Sequence, residues 1–236
     1  MFTHTDRSIK DLVGYSDIQA VTSESGRLYH SPGGKYPSIT TVLGRLSADG
    51  IAKWRARVGE EEANRISYIA TQRGEDVHSI IEKYINNDED YLMKEPSMPY
   101  MPHIVHSLET VIPTLKENIG LVYAQEVPLY SDHLGVAGRV DCIAEWNGKL
   151  SVIDFKTSKK LKRKKWIESY FMQETAYSIM WEERTKMPIT QLVTLITVDH
   201  EREPQVFIEH RDNWTTQLLK TIEDYKNDQG ETQVFE

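Results

Sequence analysis

Cysteine is almost absent from this chain, whose 236 residues include a single one, Cys142. An internal disulfide is therefore excluded, and so is an iron–sulfur cluster held by four cysteines of this chain. No apolar run is long enough to cross a membrane, and residues 1–17 contain three aspartates and no apolar signal core. These features argue against a mitochondrial leader, and we expect a cytoplasmic protein without a membrane partner.

Positive charge is also scarce, because 28 lysines and arginines face 36 aspartates and glutamates, for a net charge of −8. Any contact with DNA must then be local. The sequence KKLKRKK at residues 159–165 concentrates six basic side chains in one short segment. It is either a solvated charged surface or a cationic wall for a phosphate backbone. Its place directly after the strand that carries Asp154 and Lys156 favours the wall. The predicted nucleic-acid contacts are Lys159, Lys160, Lys162, Arg163, Lys164 and Lys165.

A phosphate-binding loop of ATP-dependent motors is missing as well. The glycines of the S-P-G-G-K segment at residues 31–35 do not fit the G-x-x-x-x-G-K-[ST] pattern, and no other segment does. We therefore expect no ATP as a cofactor.

The most informative stretch, residues 135–157, reads as two strands joined by the tight turn Asn147-Gly148. Side chains alternate along a strand, so Asp154 and Lys156 share one face, and Asp141 on the first strand can approach Asp154. Two carboxylates and a lysine suit a phosphate and a hard divalent cation such as Mg²⁺ or Mn²⁺. An isolated D-x-K tripeptide would more simply be a solvent-facing ion pair.

The pattern G-x-x-D ending at Asp141, followed by D-F-K-T-S from Asp154, is more specific than that tripeptide. It resembles the signature of PD-(D/E)XK nucleases in the form used by RecB-type exonucleases, and most of all the mitochondrial genome maintenance exonucleases and their phage relatives. The resemblance covers roughly residues 36–200, with Val140 where the motif name has proline. It implies an α/β fold: a restriction-endonuclease-like core with a central mixed sheet flanked by helices, and a helical N-terminal portion.

Two flanking motifs resemble further segments of that family. R-G-x-x-x-H-x-x-x-E, from Arg73 through His78 to Glu82, resembles the helix that supplies a metal-ligating histidine. E-V-P at Glu126 resembles the strand before the metal hairpin. Without the resemblance, a helical histidine is more often structural. For Glu126, a plain strand-edge glutamate is equally expected even with the resemblance.

Two more motifs complete the comparison. P-S-I-T places Ser38 at a helix N-cap, and Q-x-x-x-Y puts Gln173 and Tyr177 on one helical face. A capped helix and a half-buried tyrosine are the simpler interpretations. The resemblance implies catalytic roles for Asp141, Asp154, Lys156, Gln173 and Tyr177, metal ligation by His78, Asp141, Asp154 and the carbonyl of Phe155 with Glu126 as a further candidate, and nucleic-acid contacts by Ser38, Thr40 and Arg73.

The chain is predicted to form one domain with an extension over residues 1–35, a helical part over 36–119, core sheet and helix over 120–211, and a C-terminal helix and tail over 212–236. Residues 1–17 are expected to lack regular structure, a small hairpin is expected around Ser25-Gly26, and residues 86–101 read as a surface connection. Apolar spacing predicts helices at 51–68, 72–86, 102–119, 166–183 and 214–225 and strands at 121–130, 191–198 and 205–209. The helix at 51–68 would bury Trp54, Val58, Ala63, Ile66 and Ile69, and the strand at 121–130 would show Ala124, Glu126 and Pro128 on one face.

The resulting hypothesis is a deoxyribonuclease that uses one or two Mg²⁺ or Mn²⁺ ions. It would act as an exonuclease on single-stranded DNA ends in replication, repair or recombination. Proteins of replication or recombination are candidate partners, and the resemblance to phage proteins implies a bacterial or phage-infected cell. Residues 38–119 would arch over the site, with Trp54, Tyr68 and Tyr84 as candidate lining. A structure- or sequence-specific endonuclease, a non-catalytic nucleic-acid-binding module and a purely structural member of the fold are the alternatives.

Overall fold

The computed structural model describes residues 1–23 and 26–233 and is organised around a six-stranded mixed sheet. The sheet order is β1-β7-β8-β9-β10-β11, with strands numbered along the chain. Strands β7, β8 and β9 form an antiparallel meander, β10 runs parallel to β9, and the outer strands β1 and β11 are parallel and antiparallel to their neighbours. The bounds are Thr3–His4 (β1), Ile119–Ser131 (β7), Val136–Trp146 (β8), Lys149–Ser158 (β9), Gln191–Val198 (β10) and Gln205–His210 (β11).

Helices cover both faces of this sheet, so the predicted α/β architecture is confirmed. Helices α4 and α5 pack on one face, while α1, α2, α6 and α7 pack on the other. Each face therefore carries its own apolar core. The helices are Ile9–Val13 (α1), Ile39–Gly44 (α2), Ala48–Val58 (α3), Glu60–Ile85 (α4), Pro102–Asn118 (α5), Glu168–Thr185 (α6) and Asp212–Gln233 (α7).

The β8–β9 hairpin forms as its sequence predicts. Asn147 and Gly148 both have positive φ, 52° and 74°, as a two-residue hairpin turn requires. The ladder runs from Trp146 opposite Lys149 to Cys142 opposite Ile153 and ends there. The two strands therefore separate just before Asp141 and Asp154.

Two smaller sheets lie outside the main one. Strands Gln19–Ser23 (β2), Gly26–Ser31 (β3) and Gly34–Pro37 (β4) are antiparallel, which gives the predicted N-terminal hairpin, although Ser25 lies outside the described residues. Strands Met93–Glu95 (β5) and Met98–Pro99 (β6) form a short ladder beside the buried Tyr100. The segment 86–101 is thus more than the surface connection that was predicted.

The predicted boundary between the second and third helices is wrong. The helical conformation is interrupted at Gly59, whose φ of +88° is rare for an L-residue. Helix α4 then runs without interruption to Ile85. No helix breaker stands between residues 68 and 72, so the two predicted segments join. The predicted buried face is also wrong, because α3 buries no side chain, Ile69 is exposed, and only Ala63 of that set is buried.

The N-terminal residues are ordered, contrary to the prediction. Strand β1 pairs with β7, and the Ser8–Asp11 capping box begins α1, which buries Leu12 and Val13 against the core. At the other end, α7 continues to Gln233, beyond the predicted residue 225. Within the described residues, no helix is both long and apolar enough to cross a bilayer.

Candidate active site

A pocket of about 580 Å³ lies where β8 and β9 separate. Helix α4 flanks it from one face of the sheet, and β3 with the start of α2 flanks it from the other. Strands β7, β8 and β9 supply Glu126, Asp141 and Lys156 between these walls. Residues that are distant in the sequence therefore meet at one opening of the sheet.

Three side chains in this pocket have the chemistry and spacing of a metal site. One ligand atom from each of His78, Glu126 and Asp141 lies within 4.8 Å of the other two. His78 Nδ1 is 3.5 Å from Asp141 Oδ2. His78 reaches the pocket because it lies on α4 beside the buried stripe that holds the helix on the sheet.

Glu126 points into the pocket because its backbone interrupts the strand. Its φ of 48° breaks the alternation of β7, so Ala124 and Val127 pack in the same core, and the predicted face of Ala124, Glu126 and Pro128 is wrong. Arg139 donates a hydrogen bond to the Glu126 carbonyl, which gives the displaced backbone a partner. A positive φ at a glutamate is uncommon and is typical of a functional constraint.

The electrostatics of the pocket fit a bound cation. Burial, together with the charges of Asp141 and Glu82, raises the pKa of Glu126 to about 8. Burial also raises the pKa of Glu82. Carboxylates gathered in a partly buried space repel one another, and a divalent ion would relieve that repulsion. The oxygen-rich donor set with one imidazole therefore fits Mg²⁺ or Mn²⁺.

The buried Asp154 and the half-buried Lys156 form an ion pair beside this group. Asp154 is 1% exposed, its Oδ2 pairs with Lys156 Nζ, and its Oδ1 accepts a 3.2 Å hydrogen bond from Gln173. Burial, opposed by Lys156, raises the pKa of Asp154 to about 6. Burial disfavours the ammonium of Lys156, yet Asp154 and Asp141 together raise its pKa. Asp154 thus contacts the lysine and lies outside the three-residue metal group.

Gln173 and Tyr177 lie on one face of α6, one turn apart. Gln173 Nε2 also lies 3.3 Å from the buried Tyr177 hydroxyl, so the amide connects Tyr177 to Asp154. Phe155 N–H donates a hydrogen bond to Asp141 Oδ2 at 2.8 Å, and metal ligation by the Phe155 carbonyl stays a prediction.

Glu174 is a buried acid that the sequence analysis missed. Thr194, the cross-strand neighbour of Asp154, donates a hydrogen bond to it. Burial, together with the charge of Asp154, raises the pKa of Glu174 well above its usual value. Its only sequence signal is a charged residue within a helix whose neighbours Phe171, Met172 and Ala176 are apolar and buried.

The basic segment divides between two surfaces. Lys159, Lys160 and Lys162 line a second groove of about 510 Å³ together with Arg65 and Arg73, and we call this the cationic groove. Lys156 lines the pocket that holds His78, Glu126 and Asp141, which we call the catalytic pocket, and Thr157 lines the cationic groove. The two openings therefore follow each other along the end of β9.

The loop that carries these lysines is held in place. Lys162 N–H donates to Gln205 Oε1 at 2.7 Å, and Gln205 Nε2 donates back to the Lys162 carbonyl at 3.0 Å. Beyond it, Arg163 stacks over Trp166 at 5.2 Å, and Lys164 pairs with Glu209. Arg163, Lys164 and Lys165 are therefore not among the residues that line the cationic groove.

The remaining predicted contacts fall in three places. Ser38 and Thr40 line the catalytic pocket, with their hydroxyl oxygens 2.7 Å apart. Arg73 pairs with Asp199 and lines the cationic groove instead. Tyr84 packs between Phe2 and Tyr91, so its predicted place in the lining is wrong, and neither Trp54 nor Tyr68 lines the pocket.

Comparison with known proteins agrees with this geometry, since residues 49–235 match the PD-(D/E)XK nuclease superfamily. The chain belongs to this superfamily. Its resemblance to the mitochondrial exonucleases is confirmed as well. The human protein named Mitochondrial genome maintenance exonuclease 1 is 26% identical over an aligned length of 211 residues, and the match covers 81% of this chain and 59% of that protein. The mouse protein of the same name is 29% identical over 136 residues, covering 53% of this chain and 38% of its own length. This PD-(D/E)XK chain thus spans about three-fifths of the human relative.

Proposed function

We propose that this chain is a metal-dependent deoxyribonuclease that degrades single-stranded DNA from its ends, in replication, repair or recombination. The observation that carries the proposal is the His78, Glu126 and Asp141 group beside the Asp154–Lys156 pair. A cation held by the first group would lie next to a charged lysine within one pocket. The names of the human and mouse relatives, both exonucleases, support the same activity.

The residues that would hold Mg²⁺ or Mn²⁺ are His78, Glu126 and Asp141, as one ion or as the first of two. The imidazole favours Mn²⁺ somewhat over Mg²⁺ in comparison with a carboxylate-only site. When bound, such an ion supplies Lewis acidity toward a phosphate oxygen and lowers the pKa of a water.

The protein's own groups would stabilise charge and orient the substrate. Lys156, held by Asp154, places a fixed positive charge where negative charge develops on the phosphate during in-line attack. Gln173 and Tyr177 fix the orientation of Asp154, so the lysine needs little rearrangement in the transition state. The hydroxyls of Ser38 and Thr40 face the same pocket and would donate to substrate oxygens.

The cationic groove supports DNA as the substrate. A chain with a net charge of −8 repels phosphate on average, while this groove gathers five cationic side chains next to the catalytic pocket. Arg65 pairs with Glu62 and Arg73 pairs with Asp199, so the charge offered to phosphate comes from Lys159, Lys160 and Lys162. A single strand lying along the end of β9 would pass over these side chains before it reaches Lys156. Proteins of replication or recombination remain candidate partners.

The deciding test compares four DNA forms: linear single strands, duplex, covalently closed single-stranded circles and closed duplex circles. Each is incubated with Mg²⁺, Mn²⁺ or EDTA, with the Asp154→Asn variant as control. We expect metal-dependent loss of linear single strands only, with no cleavage by the variant. Equal cleavage of single-stranded circles would refute end dependence and favour an endonuclease, and binding without any cleavage would favour a non-catalytic module.

A further inference from the structure

Arg27, which belongs to the N-terminal extension, lies in the wall of the catalytic pocket. Arg27 and Tyr29 of β3, with Ser38 and Thr40 at the start of α2, face the pocket from the side opposite α4. The extension thus completes the site.

Among the described cations that line this pocket, Arg27 is the one without a carboxylate partner. Lys156 pairs with Asp154, while Arg139 donates to the Glu126 carbonyl and pairs with Asp17 at 2.9 Å. The Nε of Arg27 donates to the Thr22 hydroxyl at 3.3 Å, and no carboxylate among the described residues is within ion-pair distance of its guanidinium. The terminal nitrogens of the exposed side chain therefore retain donors for an anion.

The backbone of Arg27 is fixed against the start of α2. Its N–H donates to Thr41 Oγ1 at 3.0 Å, and its carbonyl accepts from Ser38 N–H at 2.8 Å. The preceding residue must be glycine, because Gly26 has a φ of +117° and a Cβ there would lie 2.3 Å from Thr41 Cγ2. This close approach places the Arg27 side chain at the pocket with little backbone freedom.

We propose that Arg27 binds the phosphate of the substrate next to the one that is cleaved. The inference rests on the proposed function, in which the scissile phosphate lies at Lys156 and the His78, Glu126 and Asp141 group. Arg27 enters from the opposite wall, so it meets a neighbouring phosphate, and its planar fork suits two phosphate oxygens. A phosphate held there fixes the register of the strand over the reactive groups, which makes Arg27 a positioning residue.

The test uses single-stranded oligonucleotides in which one phosphate at a time is replaced by a neutral methylphosphonate. In the wild type, replacing the neighbouring phosphate should lower kcat/KM by about 10- to 100-fold, the effect of one charge-assisted hydrogen bond. Arg27→Gln should show the same loss with the natural strand and no further loss when that phosphate is neutral, since the two changes remove one interaction. Arg27→Lys should recover part of the activity.

The matched control is Lys35→Gln, because Lys35 is an exposed cation of the same small sheet and does not line the pocket. Binding of the same oligonucleotides is also measured by fluorescence anisotropy in EDTA. In this measurement Arg27→Gln should lower the log–log salt slope of binding by about 0.7. Failure of the wild type to cleave would count against the proposed function, while this binding scan would still test Arg27. If Arg27→Gln remains as sensitive as the wild type to the neutral linkage at every position, the proposal is overturned.

Discussion

The carboxylate of Asp141 accepts a hydrogen bond of 2.8 Å from the backbone amide of Phe155. The β8–β9 ladder has already ended at Cys142 opposite Ile153, so the side chain takes the place of a missing strand partner for that amide. One contact thus satisfies the backbone and sets the carboxylate beside Asp154 and Lys156.

Asp141→Asn tests whether charge or hydrogen bonding matters at this position. The amide oxygen of asparagine can still accept from Phe155 N–H, so we expect a melting temperature close to that of the wild type. The variant should lose Mn²⁺ binding, measured by calorimetry, together with cleavage, because a neutral amide is a weaker ligand. Asp49→Asn, on the exposed surface of α3, is the matched control. Wild-type Mn²⁺ affinity in Asp141→Asn would remove this carboxylate from the metal site.

Lys156→Met should lower kcat by about 10²–10³-fold, as the loss of one preorganised electrostatic donor typically does. DNA affinity should change far less, because the cationic groove is intact. The variant should also be less stable by about 3–5 kcal/mol, since it leaves Asp154 buried without its partner. The double variant Asp154→Asn/Lys156→Met should recover much of that stability, measured by urea denaturation, and remain inactive. An active double variant would contradict the assigned role of the pair.

The stability of the metal-free protein should fall as pH rises toward 8. Glu126 has a folded-state pKa of about 8 against an ordinary value of 4.5, so the folded state binds the extra proton between these values. The stability that this proton gives the folded state is fully present below about pH 4.5 and is lost progressively up to pH 8. The loss in the free energy of unfolding has a limit of about 5 kcal/mol. The measurement is the melting temperature in EDTA from pH 5 to pH 9.

Two further readouts isolate Glu126 from the other acids of the pocket. Glu126→Gln should flatten the pH dependence, because the neutral amide does not titrate. Binding of Mn²⁺ to the wild type at pH 7 should release protons, seen as a dependence of calorimetric heat on the ionisation enthalpy of the buffer. An unchanged profile in Glu126→Gln would assign the titration to other groups.

Local signals explain what could be predicted from the sequence. The turn at Asn147-Gly148 and the alternation around Asp154 depend on neighbouring residues, so the β8–β9 hairpin was predictable. The resemblance added His78, which lies where the motif order requires it. These predictions need no knowledge of distant contacts.

The remainder depends on tertiary contacts that one sequence does not display. Glu126 points into the pocket because its φ is positive, and its carbonyl is held by Arg139 of the next strand. Arg27 reaches the site only because α2 packs against Gly26. The apolar spacing around Ile69 resembles a buried face, yet Ile69 is exposed and lines the cationic groove instead.

Neutralising the cationic groove should weaken DNA binding in a salt-dependent way. Each phosphate contact that is lost lowers the log–log salt slope by about 0.7 for single strands, so Lys159→Gln/Lys160→Gln/Lys162→Gln should flatten it by up to about 2. The held loop should keep its conformation, because Gln205 contacts the backbone of Lys162 and not its side chain.

The matched control substitutes three exposed lysines that line neither opening: Lys10, Lys149 and Lys220. Both triple variants change the net charge equally, so a general electrostatic effect would flatten the two slopes to the same extent. We expect the salt slope of DNA binding to fall more in the groove variant than in the control variant. The groove variant should still cleave saturating short strands at nearly the wild-type rate. Equal slopes in the two variants would make the basic segment a solvated surface, because charge acting at a distance does not depend on which lysines carry it.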